Sequence, residues 1–143
     1  MRPSIETTGT CAAASFFRMV SFSSSMSPSV ARRRAALAMG RVRDPRAVSV
    51  LGRLLADADT SVAATAAFAL GQIADSAAVP LLAPYADATA IATRPTVVAE
   101  VAYALGKIRH PDARAALERL LTTASVSGPG NSLPIGHALL AVW

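Results

Sequence analysis

The chain has little of what most catalytic or cross-linked proteins are built from. Its 143 residues include one cysteine, Cys11, so an internal disulfide and a cysteine-rich zinc site are both excluded. The two histidines, His110 and His137, form no HxxH, HxxxH or His-Glu pair that would set two metal-binding groups one helical turn apart. No GxxxxGKS, GxxxxGKT or GxGxxG phosphate loop occurs, and the GPG at 128–130 reads as a turn. Nor does any window free of charge and proline reach the roughly 18 apolar residues that a bilayer span needs. Aromatic residues number only seven, whereas alanine occurs 32 times. A core of small aliphatic side chains in one helical domain follows.

Residues 1–28 differ in composition from the rest. Eleven serines and threonines fall within the first 30 positions, with no sustained period, which is the pattern of a disordered leader. The apolar stretch from Cys11 to Phe22 is interrupted by Arg18 and lacks a clean small-x-small cleavage site, so a signal peptide is not assigned. Two arginines and one glutamate make a poor transit peptide. A cytoplasmic location is the resulting expectation.

From residue 31 onward the chain repeats itself. ALAMG (36–40), AFALG (67–71) and AYALG (102–106) align without gaps. Each is followed by a polar residue, then by Val42, Ile73 or Ile108, then by a turn, RDP (43–45), ADS (74–76) or RHP (109–111). A second apolar run follows, with Ala47, Ala78 and Ala113 in register and likewise Leu51, Leu82 and Leu117. These three leucines are the expected core, and Arg32 an ordinary surface residue. The spacing is helical throughout: at 100° per residue, Ala35, Ala36 and Val42 lie within about 60° of Met39. Asp44-Pro45 and His110-Pro111 are helix starts, and Asp59 caps the next helix. Gly40, Gly71 and Gly106 near the end of each first helix allow either a turn or a close helix approach. The spacing predicts three helix-turn-helix units, about 31–59, 60–93 and 94–126, because repeats of this length stack into arrays. Pro84 should shorten or kink the second helix of unit two, and ADATAIATRP (86–95) is read as a longer connection. Residues 127–143 are a loop followed by HALLAVW, a partial fourth unit or cap helix that suggests self-association.

Three segments, ARRRAALAMGRVRDPRAVSVLGRLLAD (31–57), SVAATAAFALGQIADSAAVPLLAPYAD (61–87) and VVAEVAYALGKIRHPDARAALERLL (97–121), resemble the HEAT-like repeat of the phycobilisome-lyase type. The resemblance covers two thirds of the chain and implies an all-α solenoid of about three stacked antiparallel helix pairs whose second helices line the concave side. It is not specific for function, since such repeats serve scaffolds, cofactor-lyase chaperones, hydroxylases and nucleic-acid enzymes. The hydroxylase branch uses paired His-Glu iron ligands, and none occurs here. No catalytic, cofactor or metal residue is assigned.

Charge is unevenly spread. Residues 31–55 carry seven arginines (32, 33, 34, 41, 43, 46 and 53) against Asp44, whereas 56–143 hold five basic and seven acidic groups. An arginine cluster suits an acidic protein or a phosphate backbone, and equally a solvated terminal unit. Without interleaved aromatics, nucleic acid is not the expected partner. Opposite the core on the second helices stand Arg46, Ser49 and Arg53, then Ala77, Pro80 and Pro84, then Asp112, Ala115 and Arg119, a face suited to an acidic or extended peptide. On the first helices Leu37, Phe68 and Tyr103 share one position, about 160° around from Met39, either for packing between successive helices or for a docking ladder. The sequence thus reads as a non-catalytic protein-interaction scaffold, with partner-binding candidates Arg46, Ser49, Arg53, Arg119, Leu37, Phe68 and Tyr103. The alternatives are an accessory subunit of a cofactor lyase, and a phosphate-backbone or acidic-partner binder.

Overall fold

Proline can open a helix because its missing N–H would be unpaired there in any case. In the computed structural model, which describes residues 27–126, helices α1 (Pro28–Val42), α6 (Pro95–Ile108) and α7 (Pro111–Val126) all begin on one. Helix α3 (Thr60–Ile73) instead starts on Asp59, whose carboxylate accepts the Ser61 N–H at 2.9 Å and the Ser61 hydroxyl at 2.7 Å. Every first helix stops in the same way. The residue just beyond it, Arg43, Ala74 or Arg109, takes the left-handed conformation, with φ of 57°, 57° and 50°. The N–H of Arg43 closes on Met39 O and that of Ala74 on Leu70 O.

A 3-10 turn then leads into each of the first two second helices. Asp44 caps the turn Pro45–Ala47 by accepting the Arg46 N–H at 2.9 Å, and α2 (Val48–Leu54) follows. Asp75 does the same for Ser76–Ala78 through the Ala77 N–H at 2.8 Å, and α4 (Val79–Leu82) follows. At Ala83–Tyr85 the chain tightens to 3-10 geometry around Pro84, which has no N–H to give. The second helix of unit two is therefore short, as its proline predicts. The stretch read as a plain connection differs from expectation, because it contains an additional helix, α5 (Ala88–Thr93). Its Ile91 is fully buried, and α5 packs on α6 and α7. Ile91 joins the same buried core as Leu82 and Leu117. The additional residues of unit two thus serve packing, which periodicity cannot reveal.

The first helices stack directly on one another, α1 on α3 and α3 on α6, with second helices packed along one side. The stacked layer is made of Ala36, Ala66, Ala67, Ala69, Ala102 and Ala104, all buried. Leu51, Leu82 and Leu117 lie beneath it, also buried, in the register read from the sequence. No polar or charged residue is buried among the described residues, so burial of small apolar groups and close dispersion contact hold the stack.

Gly40 and Gly71 make that closeness possible. A Cβ on Gly40 would lie 2.8 Å from both Cα and Cβ of Ala69, and one on Gly71 would lie 2.8 Å from Cα of Ala104. The turn is made three residues later by Arg43 and Ala74. These glycines therefore serve helix approach and not chain reversal.

Candidate partner-binding surfaces

Side chains at i, i+3 and i+7 share one side of a helix. Arg46, Ser49 and Arg53 accordingly line the outer side of the first 3-10 turn and α2, and all three are exposed. Ala77, Pro80 and Pro84 are exposed in unit two, as are Asp112, Ala115 and Arg119 in unit three. The sequence-derived second-helix face thus stands in solvent along all three units, with arginine at both ends and small or ring side chains between. Arg46, Arg53 and Arg119 form no ion pair with a carboxylate among the described residues. Arg114 is engaged with Glu118 at 3.0 Å.

The first-helix stripe is used inside the molecule. Phe68 of α3 and Tyr103 of α6 stack, with ring centroids 5.8 Å apart and planes 10° apart, and Lys107 Nζ stands 5.4 Å from the Tyr103 centroid. Leu37 of α1 and Phe68 line an open groove of about 370 Å³ with Arg33, Ala64, Thr65 and Glu100. Leu37, Phe68 and Tyr103 are each half-buried. The geometry is that of packing between successive first helices, leaving a shallow trough whose apolar floor is flanked by Arg33, Thr65 and Glu100.

Two arginines have roles that the sequence reading did not assign. Arg32, expected to be an ordinary surface residue, meets Asp57 through two hydrogen bonds of 2.7 and 3.0 Å. Asp57 also accepts the Asp59 N–H at 2.9 Å. Arg94, just before α6, donates to the carbonyls of Asp57 at 2.9 Å and Leu55 at 3.4 Å. The loop between units one and two is thereby tied to the first helix of unit one and to the start of unit three. The available signal was an Asp-Ala-Asp loop 25 residues after an arginine, too weak to read without coordinates.

The Arg32 hydrogen bond, followed by the Asp59 N–H, holds the Asp57 carboxyl below its ordinary value, and Ser61 does the same for Asp59. Since the folded values lie below the unfolded ones, this stabilisation is complete above the unfolded carboxylate range. It is lost as pH falls through the lowered values. Asp57→Asn should lower the melting temperature at neutral pH and flatten its fall between about pH 5 and 2. An unchanged acid profile would show that the clamp contributes nothing. His110 is a cap, its Nδ1 accepting the Asp112 N–H at 3.3 Å.

Among the described residues no group of three or more His, Cys, Asp and Glu side chains could hold a metal ion. No described helix is long and apolar enough to cross a membrane. Cys11, the 1–26 part of the leader, His137 and the HALLAVW segment with its expected self-association lie outside the described residues.

No curated protein matches the chain. The family model for HEAT repeats matches residues 20–94 and 53–128, together about three quarters of the sequence. That match is to HEAT repeats as a class, without the narrower lyase type. With glycine-notched first helices stacked in register and three copies of one helix-turn-helix unit, the chain belongs to the HEAT-repeat family, as an all-α solenoid.

Proposed function

We propose that this chain is a non-catalytic scaffold that binds a protein partner along its second helices, through an acidic or extended segment. HEAT repeats generally mediate protein–protein interaction, and the observation that carries the reading here is the second-helix face itself. Arg46 and Arg53 stand exposed at one end and Arg119 at the other, without a carboxylate partner among the described residues. Ser49 and the exposed Ala77, Pro80, Pro84 and Ala115 leave the middle low and sparsely polar. Such a surface favours an extended chain over a small substrate, which needs several convergent polar groups to be oriented.

The test is binding of a fluorescent Glu-rich peptide to the full chain, beside a duplex DNA of equal charge. Arg46→Glu with Arg53→Glu should weaken the peptide at least tenfold, because each exposed charge pair contributes up to about 1 kcal/mol and reversal adds repulsion. Peptide affinity indifferent to these substitutions would remove the reading. Tighter DNA binding with a steep salt dependence would replace it with the phosphate-backbone alternative.

A further inference from the structure

The repeat offers an internal comparison. In units two and three, one face of each helix pair is covered by the preceding unit. Ala66, Ala69 and Val62 of unit two are fully buried, as are their counterparts Val101, Ala104 and Val97 in unit three. Ala69 receives Gly40, and Ala104 receives Gly71. On the second helices, Leu81 is half-buried against Gly52, and its counterpart Ala116 is buried.

The same positions in unit one are Ala31, Ala35, Ala38, Val42 and Val50. Ala35 and Ala38 are exposed, Val42 is 74% exposed and Val50 39%. Ile108, the counterpart of Val42, is 8% exposed. Among the described residues nothing covers the apolar surface of unit one at Ala35, Ala38, Val42 and Val50, which its successors use to stack, while Ala31 is half-buried.

Charge defines what fits there. Around Ala35, Ala38 and Val42 on α1 lie Arg34 and Arg41, with Arg43 just past the helix end. Val50 on α2 has Arg46 one turn before it and Arg53 nearly one turn after. Arg41, Arg43, Arg46 and Arg53 pair with no carboxylate among the described residues. The chain itself is net +5, so like-to-like docking of two copies through this patch sets arginines against arginines. We infer that the open face of unit one docks an acidic amphipathic helix of a partner protein, which continues the stack end-on with a glycine-containing apolar stripe over Ala38 and glutamates or aspartates beside the arginines. The glycine requirement follows from unit contacts in which the opposing helix has no room for a Cβ. This proposal rests on the protein-binding reading and shares Arg46 and Arg53 with that face, but its centre is on α1 at Ala38 and Val42, and it does not involve Arg119.

The probe is a stapled, alanine-rich 18-residue helical peptide bearing one central glycine on its apolar stripe and glutamates on both flanks, titrated against the full chain by anisotropy. A matched peptide has lysine in place of glutamate. The glutamate peptide should bind, and the lysine peptide at least tenfold more weakly. Val42→Asp, and separately Arg41→Glu with Arg43→Glu, should each weaken the glutamate peptide tenfold or more, while Arg119→Glu leaves it unchanged. Val42 is mostly exposed, so its substitution leaves the helical circular dichroism intact. Equal binding of both peptides, or binding indifferent to Val42→Asp, overturns the proposal. So does concentration-dependent self-association in sedimentation that Val42→Asp abolishes, which would assign the face to a second copy. Loss of the Glu-rich peptide of the previous section on Arg119→Glu, with this helix unaffected, separates the two surfaces.

Discussion

Gly40→Ala and Gly71→Ala are expected to destabilise the chain by about 2 kcal/mol each, although alanine is the better helix former by about 1 kcal/mol. The added Cβ would meet Ala69 Cα at 2.8 Å in the first case and Ala104 Cα at 2.8 Å in the second. Backbone cannot rotate aside as a flexible side chain can, so the stacked helices must separate, and contacts along the whole interface weaken with them. Gly52→Ala is the internal contrast. Its Cβ would meet Leu81 Cδ1 at 2.8 Å, the far end of a half-buried side chain that can change rotamer. There the propensity gain should roughly cancel the cost, giving a change within about 0.5 kcal/mol. Urea unfolding of the three variants would decide the matter. Equal stability of Gly40→Ala and Gly52→Ala would mean that the first-helix layer is looser than its geometry.

Truncating Leu51, Leu82 or Leu117 to alanine should cost about 2–5 kcal/mol in each case. Leu51 and Leu82 are 0% exposed and Leu117 3%, so each truncation removes transfer free energy and leaves a void. The surrounding alanine-rich layer has few long side chains able to fill such a void, which places the cost toward the upper part of that range. The appropriate surface reference is Arg41→Ala and not Arg32→Ala, since Arg32 is bound to Asp57 by two hydrogen bonds. Denaturant midpoints for the three leucine variants no lower than that of Arg41→Ala would undo the assigned register. In a linear array, energies are approximately sums of unit and neighbour terms. Leu82→Ala, in the middle unit and the shortest second helix, should therefore disturb both interfaces at once and lower cooperativity as well as midpoint.

Units, turns and core register were legible because they depend on local chemistry repeated three times. A 3.6-residue period, Asp44-Pro45 at a helix start and leucine at positions 51, 82 and 117 each mean the same thing wherever they occur in the chain. Helix α5 was not legible. ATAIAT (88–93) is six residues long and unmatched in the other units, and what anchors it is the burial of Ile91 as it packs on α6 and α7. Candidate surfaces divide in the same way. The solvent exposure of Arg46, Ser49, Arg53 and Arg119 followed from the period. That Phe68 stacks on Tyr103, whereas Leu37 lines an open trough, did not.

By itself the sequence determined that this is an all-α array of three helix-turn-helix units, where each turn begins, which leucines lie inward, and that arginine is concentrated in the first unit. Tertiary structure alone decided what the glycines are for, which arginines are occupied, and which face of unit one no other described residue covers. The reason is one of range. Periodicity and caps are set by interactions within about four residues. The approach of Gly40 to Ala69, the Arg32–Asp57 clamp, the Arg94–Asp57 hydrogen bond and the exposure of Val42 depend on how one unit lies against the next, the three contacts spanning 25 to 37 residues of chain.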